Sequence, residues 1–424
     1  VTSIQTTAVT DAALESALNA EDLFALMRST WTWDDRALRR DLAALLVDLE
    51  SARTCRDPAI GAALYAEALH TGAHFAATVL GPKLIADTGN PLRERYLHAA
   101  ADPAALSRAS ANARAATADA AVDYVATQAS AIEYPLETQW RQLVADSGAT
   151  GLAVAMRAYG NTLSDSNFFA SFGLAWQMLD TITKSEHGAA LAQRLLDGGI
   201  DATLAAAEHT GSWDPVLVRT KATSTDGGWR LDGLKHFVPG ADTADVILVV
   251  GRSIAGPSVF AVERTAPGVA VTPHPVLDTS RPLFEVSLSN TPAVILGREG
   301  AGGRFMFDAL GRATTALAGE QVGVIERAIR HLVSHSDADL TELAIAHAKA
   351  FGLWQAAIDK PTPERAAMAH IGASAAALAV CEEVAEKLGP SPEATALQHR
   401  AISGNLLFGG PAMSHERLLE RLGL

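Results

Sequence analysis

The sequence predicts a mainly α-helical protein with a small β-domain set between two helical parts, and three observations predict it. Before residue 202, apolar residues recur at helical spacing, as at Leu38, Leu42, Leu45, Leu46 and Leu49. Between 203 and 297, short runs of β-branched and aromatic residues are punctuated by Gly, Pro and Asp, as in a small β-barrel or sandwich. After Gly302, four helical patterns follow in tandem with short links, which reads as a bundle.

Residues 1–10 are polar and Thr-rich and are expected to be disordered. Asp11 stands where it can cap a first helix through about Met27, and Asp34 begins a second. Pro58 opens a third, to about Leu80, carrying His70 and His74 one turn apart. A His pair at i, i+4 can ligate a metal. No Glu stands between these two in the metalloprotease arrangement, so they are read as packing or surface histidines and no metal is expected. Pro103 opens an Ala-rich helix to about Ala131, because alanine loses no side-chain entropy in a helix, and Tyr134-Pro135 breaks it. Leu136 to Asp146 is another helix, ending near Gly148. Ser164 to Asn167 is a turn or cap cluster before Phe168 to Leu179, and Glu186 to Leu196 stops at Gly198-Gly199.

Strands are expected at Val216 to Val218, Trp229 to Leu231, Val246 to Val250, Val259 to Val262, Val269 to Val271 and Phe284 to Leu288. Gly297 to Gly303 is a Gly-rich crossover without the Gly-Lys-Ser/Thr of a phosphate-cradling loop. Bundle helices are expected from Phe305 to about Ser334, Asp339 to about Ile358, Pro363 to about Leu388 and Pro392 to Phe408. Gly409-Gly410-Pro411 and a short last helix follow. Four segments result: 1–130, a helical N-terminal extension packed on the core; 131–202, a helical domain; 203–297, a β-barrel domain; and 298–424, a C-terminal bundle. The extension is expected to pack rather than hang free, since its amphipathic and Ala-rich helices need a surface and no Pro/Gly/Ser-rich linker follows them.

Composition bounds the function. Hydrophobic residues make up 48% of the 424 and charged ones 19%, enough for sizeable cores. A net charge of −14 argues against a general nucleic-acid or anionic-membrane surface. The two cysteines, Cys55 and Cys381, have no metal-type spacing and no disulfide framework. No apolar run is expected to reach the roughly 18–20 residues that cross a bilayer, and no signal-peptide pattern is seen at Val1. The expectation is a soluble cytoplasmic protein with no nucleic-acid or membrane partner.

Several stretches resemble the acyl-CoA dehydrogenase family. Ala207-Glu208 followed by Gly211-Ser212-Trp213-Asp214 resembles its Thr-Glu-Pro…Gly-Ser-Asp segment. Leu231-Asp232-Gly233, Lys235 and Phe237-Val238 resemble its Leu-x-Gly-x-Lys-x-Trp/Phe-Ile/Val segment. Ala244-Asp245 before an apolar strand, Ala318-x-Glu320-x-Val322-Gly323, and Gly409 to Glu416 also fit, in the family's order. The resemblance covers about residues 131–424 and implies the fold read above. It implies FAD between β-domain and bundle, with Glu208, Gly211, Ser212, Phe237 and Val238 toward the cofactor. In that family a glutamate takes the α-proton of an acyl thioester while flavin N5 takes the β-hydride, and the resemblance implies the same chemistry here.

The chain departs from the family's pattern at the parts this chemistry needs. Ala207 and Pro239 stand where flavin-contacting hydroxyls are usual, and proline also lacks the backbone N–H. Ser334 to Asp339 replaces a segment bearing an arginine, and Leu406 replaces a glutamine. In many members the catalytic glutamate sits in a segment that the resemblance places beyond Leu424. Its other family location is near Ala313 and Thr314, neither of which can act as base. Glu320, two turns on, is the candidate base, and a buried carboxylate without a cationic partner would be a stronger one. Glu416 is read as structural, with Arg417 as its neighbour.

Four readings stay open at this point. One is a divergent oxidoreductase acting on an acyl thioester or related small molecule, completed by a partner subunit. The others are a flavin-free, non-redox catalyst, a structural partner subunit, and a flavin-dependent monooxygenase. A homo-dimer or hetero-oligomer is expected, from the small residues Ala373 to Ala379 on a bundle helix. FAD is expected to bind the isolated chain weakly or not at all.

Overall fold

A computed structural model describes residues 20–86, 89, 103–129, 132–182, 185–336 and 338–424. The expected polar lead at 1–10 and the Asp11 cap lie outside the described residues. The chain forms two compact units, Val1–Glu133 with Ile325–Ala394 and Pro411–Leu424, and Tyr134–Val324 with Thr395–Gly410. The division cuts across the four sequence segments: the N-terminal extension shares a unit with part of the bundle, and the barrel shares one with the rest.

In the first unit, α1 (Ala20–Ser29), α2 (Arg36–Thr54), α3 (Pro58–Leu80), α4 (Pro103–Ala115) and α5 (Ala118–Tyr124) precede the barrel in sequence. Asp35 starts α2 by accepting from the N–H groups of Ala37 and Leu38, and Asp57 starts α3 by accepting from Ala59 and Ile60, with Pro58 at the first helical position. The row Leu42, Leu45, Leu46 and Leu49 is buried where α2 packs on α3. The same helix packs on α10 (Thr341–Asp359) and α11 (Pro363–Leu388). Tyr124 hydroxyl meets His347 Nδ1 at 3.0 Å, and His347 Nε2 meets Glu326 at 2.8 Å, so a polar chain ties α5 to α10 inside this core. Glu416, on α13 (Gly410–Arg421), pairs with Arg39 at 2.7 Å.

Helix α11 corrects one expectation. Among the described residues it is long and apolar enough, by length and composition, to cross a membrane, with a mean hydropathy of 1.2 and 67% of that window buried. Its small residues Ala373, Ala376 and Ala377 are buried within the unit, where α11 packs on α10 and α2. The small-residue face is therefore used inside the unit, which explains its apolarity.

The second unit holds α6 (Glu137–Thr162), a π-helical stretch Phe169–Ala175, α7 (Trp176–Thr181) and α8 (Glu186–Leu196). The helical path breaks at the expected stop: Gly148 adopts φ 56°, and a second helical segment follows directly to Thr162 within α6. The β-domain has seven strands, β1 (Ala202–Ala205), β2 (Lys221–Thr225), β3 (Gly228–Pro239), β4 (Val246–Ser253), β5 (Gly256–Glu263), β6 (Val269–Pro273) and β7 (Leu283–Leu296). Pairings β4–β2, β2–β3, β3–β7, β7–β5 and β5–β4 close a ring, with β1 and β6 added outside. Closure leaves no free edge in the ring. Strand β4 is buried on both faces: Ile247 and Val249 fill the barrel with Phe260, Val262 and Val286, while Val246, Leu248 and Val250 join the helical core.

The strand expected at Val216 to Val218 is a 3₁₀ turn, Pro215–Leu217. Pro215 has no N–H for a ladder, and Asp214 takes the Val216 N–H into a cap at 2.8 Å.

Around Glu320 and Gly323, α9 (Gly302–Val333) crosses α6 at very short range. A Cβ on Gly160 would lie 2.0 Å from the Glu320 carbonyl oxygen, and one on Gly323 would lie 2.0 Å from that of Arg157. Asn161 seals the crossing by donating to the Gly323 carbonyl at 3.2 Å. Gly160→Ala and Gly323→Ala are each expected to destabilise the protein by about 1–3 kcal/mol, because two rigid backbones must separate. Urea denaturation measures this, and unchanged midpoints would show that the helices part freely.

Candidate functional site

The site begins with an irregularity in β3. Pairing with β7 shifts register between Lys235 and Val238, and Phe237 takes φ 56°. Positive φ is costly for a bulky residue and such bulges re-aim side chains. Val238 turns into the barrel core at 1% exposure, so its side chain is not available to a cofactor. Phe237 turns out and stacks on His274 at 5.4 Å and 27°. His274 also stacks on His236 at 5.6 Å and 20°. Gly211, at φ 70°, lets the neighbouring loop come against the Phe237 ring.

Glu208 anchors that loop. Its carboxylate accepts from the N–H groups of Arg219 and Thr220, from the Thr220 hydroxyl at 2.8 Å, and from Lys235 Nζ at 2.8 Å. Burial opposes its ionisation, but Lys235 and Thr220 outweigh this and hold its pKa below the usual value. Burial pulls the Lys235 ammonium down to about 8, against the hydrogen bond and charge of Glu208. Ser212 works locally: its hydroxyl accepts from the Asp214 N–H at 3.1 Å. Of the five residues expected toward a cofactor, Gly211 and Phe237 line the cavity, while Glu208 and Ser212 order its loop.

The cavity has a volume of about 540 Å³ and a largely apolar wall that includes Trp213, Phe237, Leu277, Leu283, Leu406 and Phe408. Trp213 is 5% exposed and meets Phe408 edge-on at 4.9 Å. One end is formed by Asp278 and Arg281, which belong to a buried ionic network. Arg281 pairs with Glu320 of α9, and Arg400 of α12 (Pro392–Leu406) reaches Glu320 at 3.2 Å and Asp278 at 2.9 Å. Arg400 also donates to the Ser164 carbonyl at 2.8 Å and the Ser280 hydroxyl at 2.6 Å. Burial disfavours the Asp278 carboxylate, but Arg400 and Arg281 more than offset this and lower its pKa. Glu320 thus has two cationic partners. The condition set for a strong base, a buried carboxylate without a cationic partner, is therefore not met.

The sequence reading missed His274, Asp278, Arg281 and Arg400. For Arg400 a signal was present: a lone cation between Leu397 and Ala401, both fully buried on α12. His274 had none, because its partners come from another strand. Cys55 and Cys381 are pushed up by burial to about 11 and about 12, which keeps both thiols protonated. His70 and His74 meet each other at 3.1 Å, and among the described residues no three His, Cys, Asp or Glu groups gather as a metal site.

A family model for the acyl-CoA dehydrogenase middle domain matches residues 203–289, the stretch that builds most of the barrel and the Phe237–His274 wall. Residues 203–289 thus match the middle domain of the acyl-CoA dehydrogenase family. Among curated relatives, L-prolyl-[peptidyl-carrier protein] dehydrogenase of Pseudomonas fluorescens is 26% identical over 45% of this chain and 54% of its own length. Acyl-[acyl-carrier-protein] dehydrogenase MbtN of Mycolicibacterium paratuberculosis is 38% identical over 17% of this chain and 18% of its own. The chain thus spans about half or less of these relatives. Butyryl-CoA dehydrogenase from Megasphaera elsdenii superposes with a TM-score of 0.61 at 17% identity, covering 73% of this chain and 98% of that one. The prolyl acyl carrier protein oxidase AnaB gives 0.58 at 20% identity, over 73% and 90%. These likenesses establish the acyl-CoA dehydrogenase fold: helices, central barrel and helical bundle, as expected from the sequence.

Other structures with the fold are described as FAD-dependent or bound to FAD, so FAD is a plausible cofactor. Two of the positions expected toward a flavin offer it no hydroxyl. Ala207 is 2% exposed and offers no hydroxyl, and its carbonyl already accepts from His236 N–H at 3.0 Å. Pro239 has no N–H, and its carbonyl accepts from the Thr203 hydroxyl at 2.6 Å. Arg281, the one cation in the cavity wall, is neutralised by Glu320. A neighbouring cavity of about 340 Å³ is lined by Asp165, Asp201 and Asp242 together with Arg281, and Asp201 pairs with Arg141 at 3.0 Å.

The network makes a stability prediction. Removing one buried partner strands the others, so Arg400→Met should destabilise the protein by about 3–5 kcal/mol. The double variant Arg400→Met, Asp278→Asn keeps the network's charge balanced and should recover much of that loss. Chemical denaturation of both variants checks this; equal losses would show that packing, not charge balance, sets the cost.

Proposed function

We propose that this chain binds an acyl thioester in the apolar cavity, as one subunit of a pair, and that alone it holds FAD weakly or not at all. One observation carries the reading. The cavity is walled by aromatic and aliphatic side chains, and its charged groups neutralise one another, which suits a neutral acyl group and not a dianionic diphosphate. The named relatives act on acyl groups held on carrier proteins, which supports the substrate class. Loss of the hydroxyl, N–H and free-cation contacts favours a second reading, a flavin-free, non-redox catalyst on the same fold.

Each net hydrogen bond contributes roughly 0.5–1.5 kcal/mol, and charge-assisted ones about 1.5–3. Without the contacts at Ala207, Pro239, Leu406 and the absent arginine, FAD loses on the order of 3–7 kcal/mol, or about two to five decades of affinity. Calorimetric titration of the isolated chain with FAD is expected to give weak or undetectable binding. A sub-micromolar dissociation constant would restore the ordinary flavin dehydrogenase. Light scattering at micromolar concentration is expected to show a dimer or larger assembly, and a monomer removes the pairing.

A further inference from the structure

Among the cavity's polar side chains, His274 stands apart. The Asp278 carboxylate and the terminal nitrogens of Arg281 are committed to the ionic network and to Ser403. The two wall hydroxyls already act as acceptors, Thr210 from the Ser212 N–H at 3.3 Å and Ser403 from Arg281 at 3.3 Å. His274 lines the same cavity, and its Nε2 is shielded from solvent with no hydrogen-bond partner among the described residues. Leaving a buried polar nitrogen unpaired is unfavourable, and a ligand's polar atom seated against it removes the penalty.

The ring is also held in place. The His274 N–H donates to the Leu283 carbonyl at 2.9 Å, fixing its backbone against the start of β7. The ring packs against those of both His236 and Phe237, three rings in one cluster, and Phe237 joins it at the positive φ of the β3 bulge. Backbone strain that orients an aromatic wall beside an unpaired imidazole is the arrangement expected of a ligand contact.

We propose that His274 hydrogen-bonds the carbonyl oxygen of the bound acyl group, donating through Nε2–H, and so sets its position in the cavity. The assignment rests on the acyl-thioester reading. Arg281 Nε, also buried and unpaired, lies in the same wall and is the second donor. His274 is a ligand-positioning residue here, and no bond is made or broken at it.

The test compares S-hexanoyl pantetheine with its thioether analogue, which lacks the carbonyl, by calorimetry on the full chain. Wild type is expected to bind the thioester roughly 2- to 13-fold more tightly than the thioether, the range of one neutral hydrogen bond. His274→Phe keeps the stack, so thioether binding should be unchanged while the ratio falls to about one. His274→Gln, which keeps a donor, should retain part of the ratio, and it supplies the same comparison if the Phe variant does not fold. The infrared stretch of an isotope-labelled carbonyl should shift down on binding to wild type but not to His274→Phe. An unchanged ratio and stretch in both variants overturns the His274 assignment while leaving the acyl-thioester reading intact. Failure of wild type to bind either compound overturns both.

Discussion

The buried network of Arg281, Glu320, Arg400 and Asp278 constrains most of the second unit. Its members come from the segment before β7, from α9 and from α12, and Arg400 also reaches the carbonyl of Ser164 beyond α6. Charges at such depth are tolerable only when paired and hydrogen-bonded. Each segment therefore has to arrive in one register for the others to be satisfied. The guanidinium groups lie over Phe169 at 4.5 Å and Tyr159 at 5.1 Å, so the aromatic core shares the same constraint. The close crossing of α6 and α9 at Gly160 and Gly323 puts Glu320 where both arginines reach it.

The barrel supplies the second fixed element. Closure of the ring leaves β3 and β7 little freedom, so the register shift between Lys235 and Val238 resolves at one residue, Phe237. The same shift divides two neighbours, with Val238 sent to the barrel core and Phe237 to the cavity. Lys235 and Glu208 pin the loop that carries Gly211 and Trp213 against this wall. What the family resemblance presents as cofactor contacts is here divided in role: Glu208 and Ser212 order the loop, and Gly211 and Phe237 shape the cavity.

An ionic network that neutralises itself leaves a cavity with little net field. The acyl-CoA dehydrogenase fold is retained, while Ala207 and Pro239 offer no hydroxyl and their carbonyls accept from His236 N–H and the Thr203 hydroxyl. Fold and site thus carry separate information, and the site's chemistry, not the architecture, decides what can bind.

Local sequence determined the elements. Asp35, Asp57 and Pro58 start helices through hydrogen bonds and dihedral limits within a few residues of themselves, and the β-branched runs of β4 and β5 pair as their composition implies. The segments that resemble the family could be read because they are contiguous. Tertiary structure decided what depended on distant partners. Val216 to Val218 became a turn because Asp214 and Pro215 outweighed strand propensity. Glu320 is followed by Gln321 in sequence and looks uncompensated there, yet its charge partners lie 39 residues before and 80 after it. Likewise, nothing near His274 in sequence marks it, since the rings it packs against belong to β3. Helix and strand formation rest on interactions within a few residues, whereas charge pairing and cavity walls rest on contacts that exist only once the chain has folded.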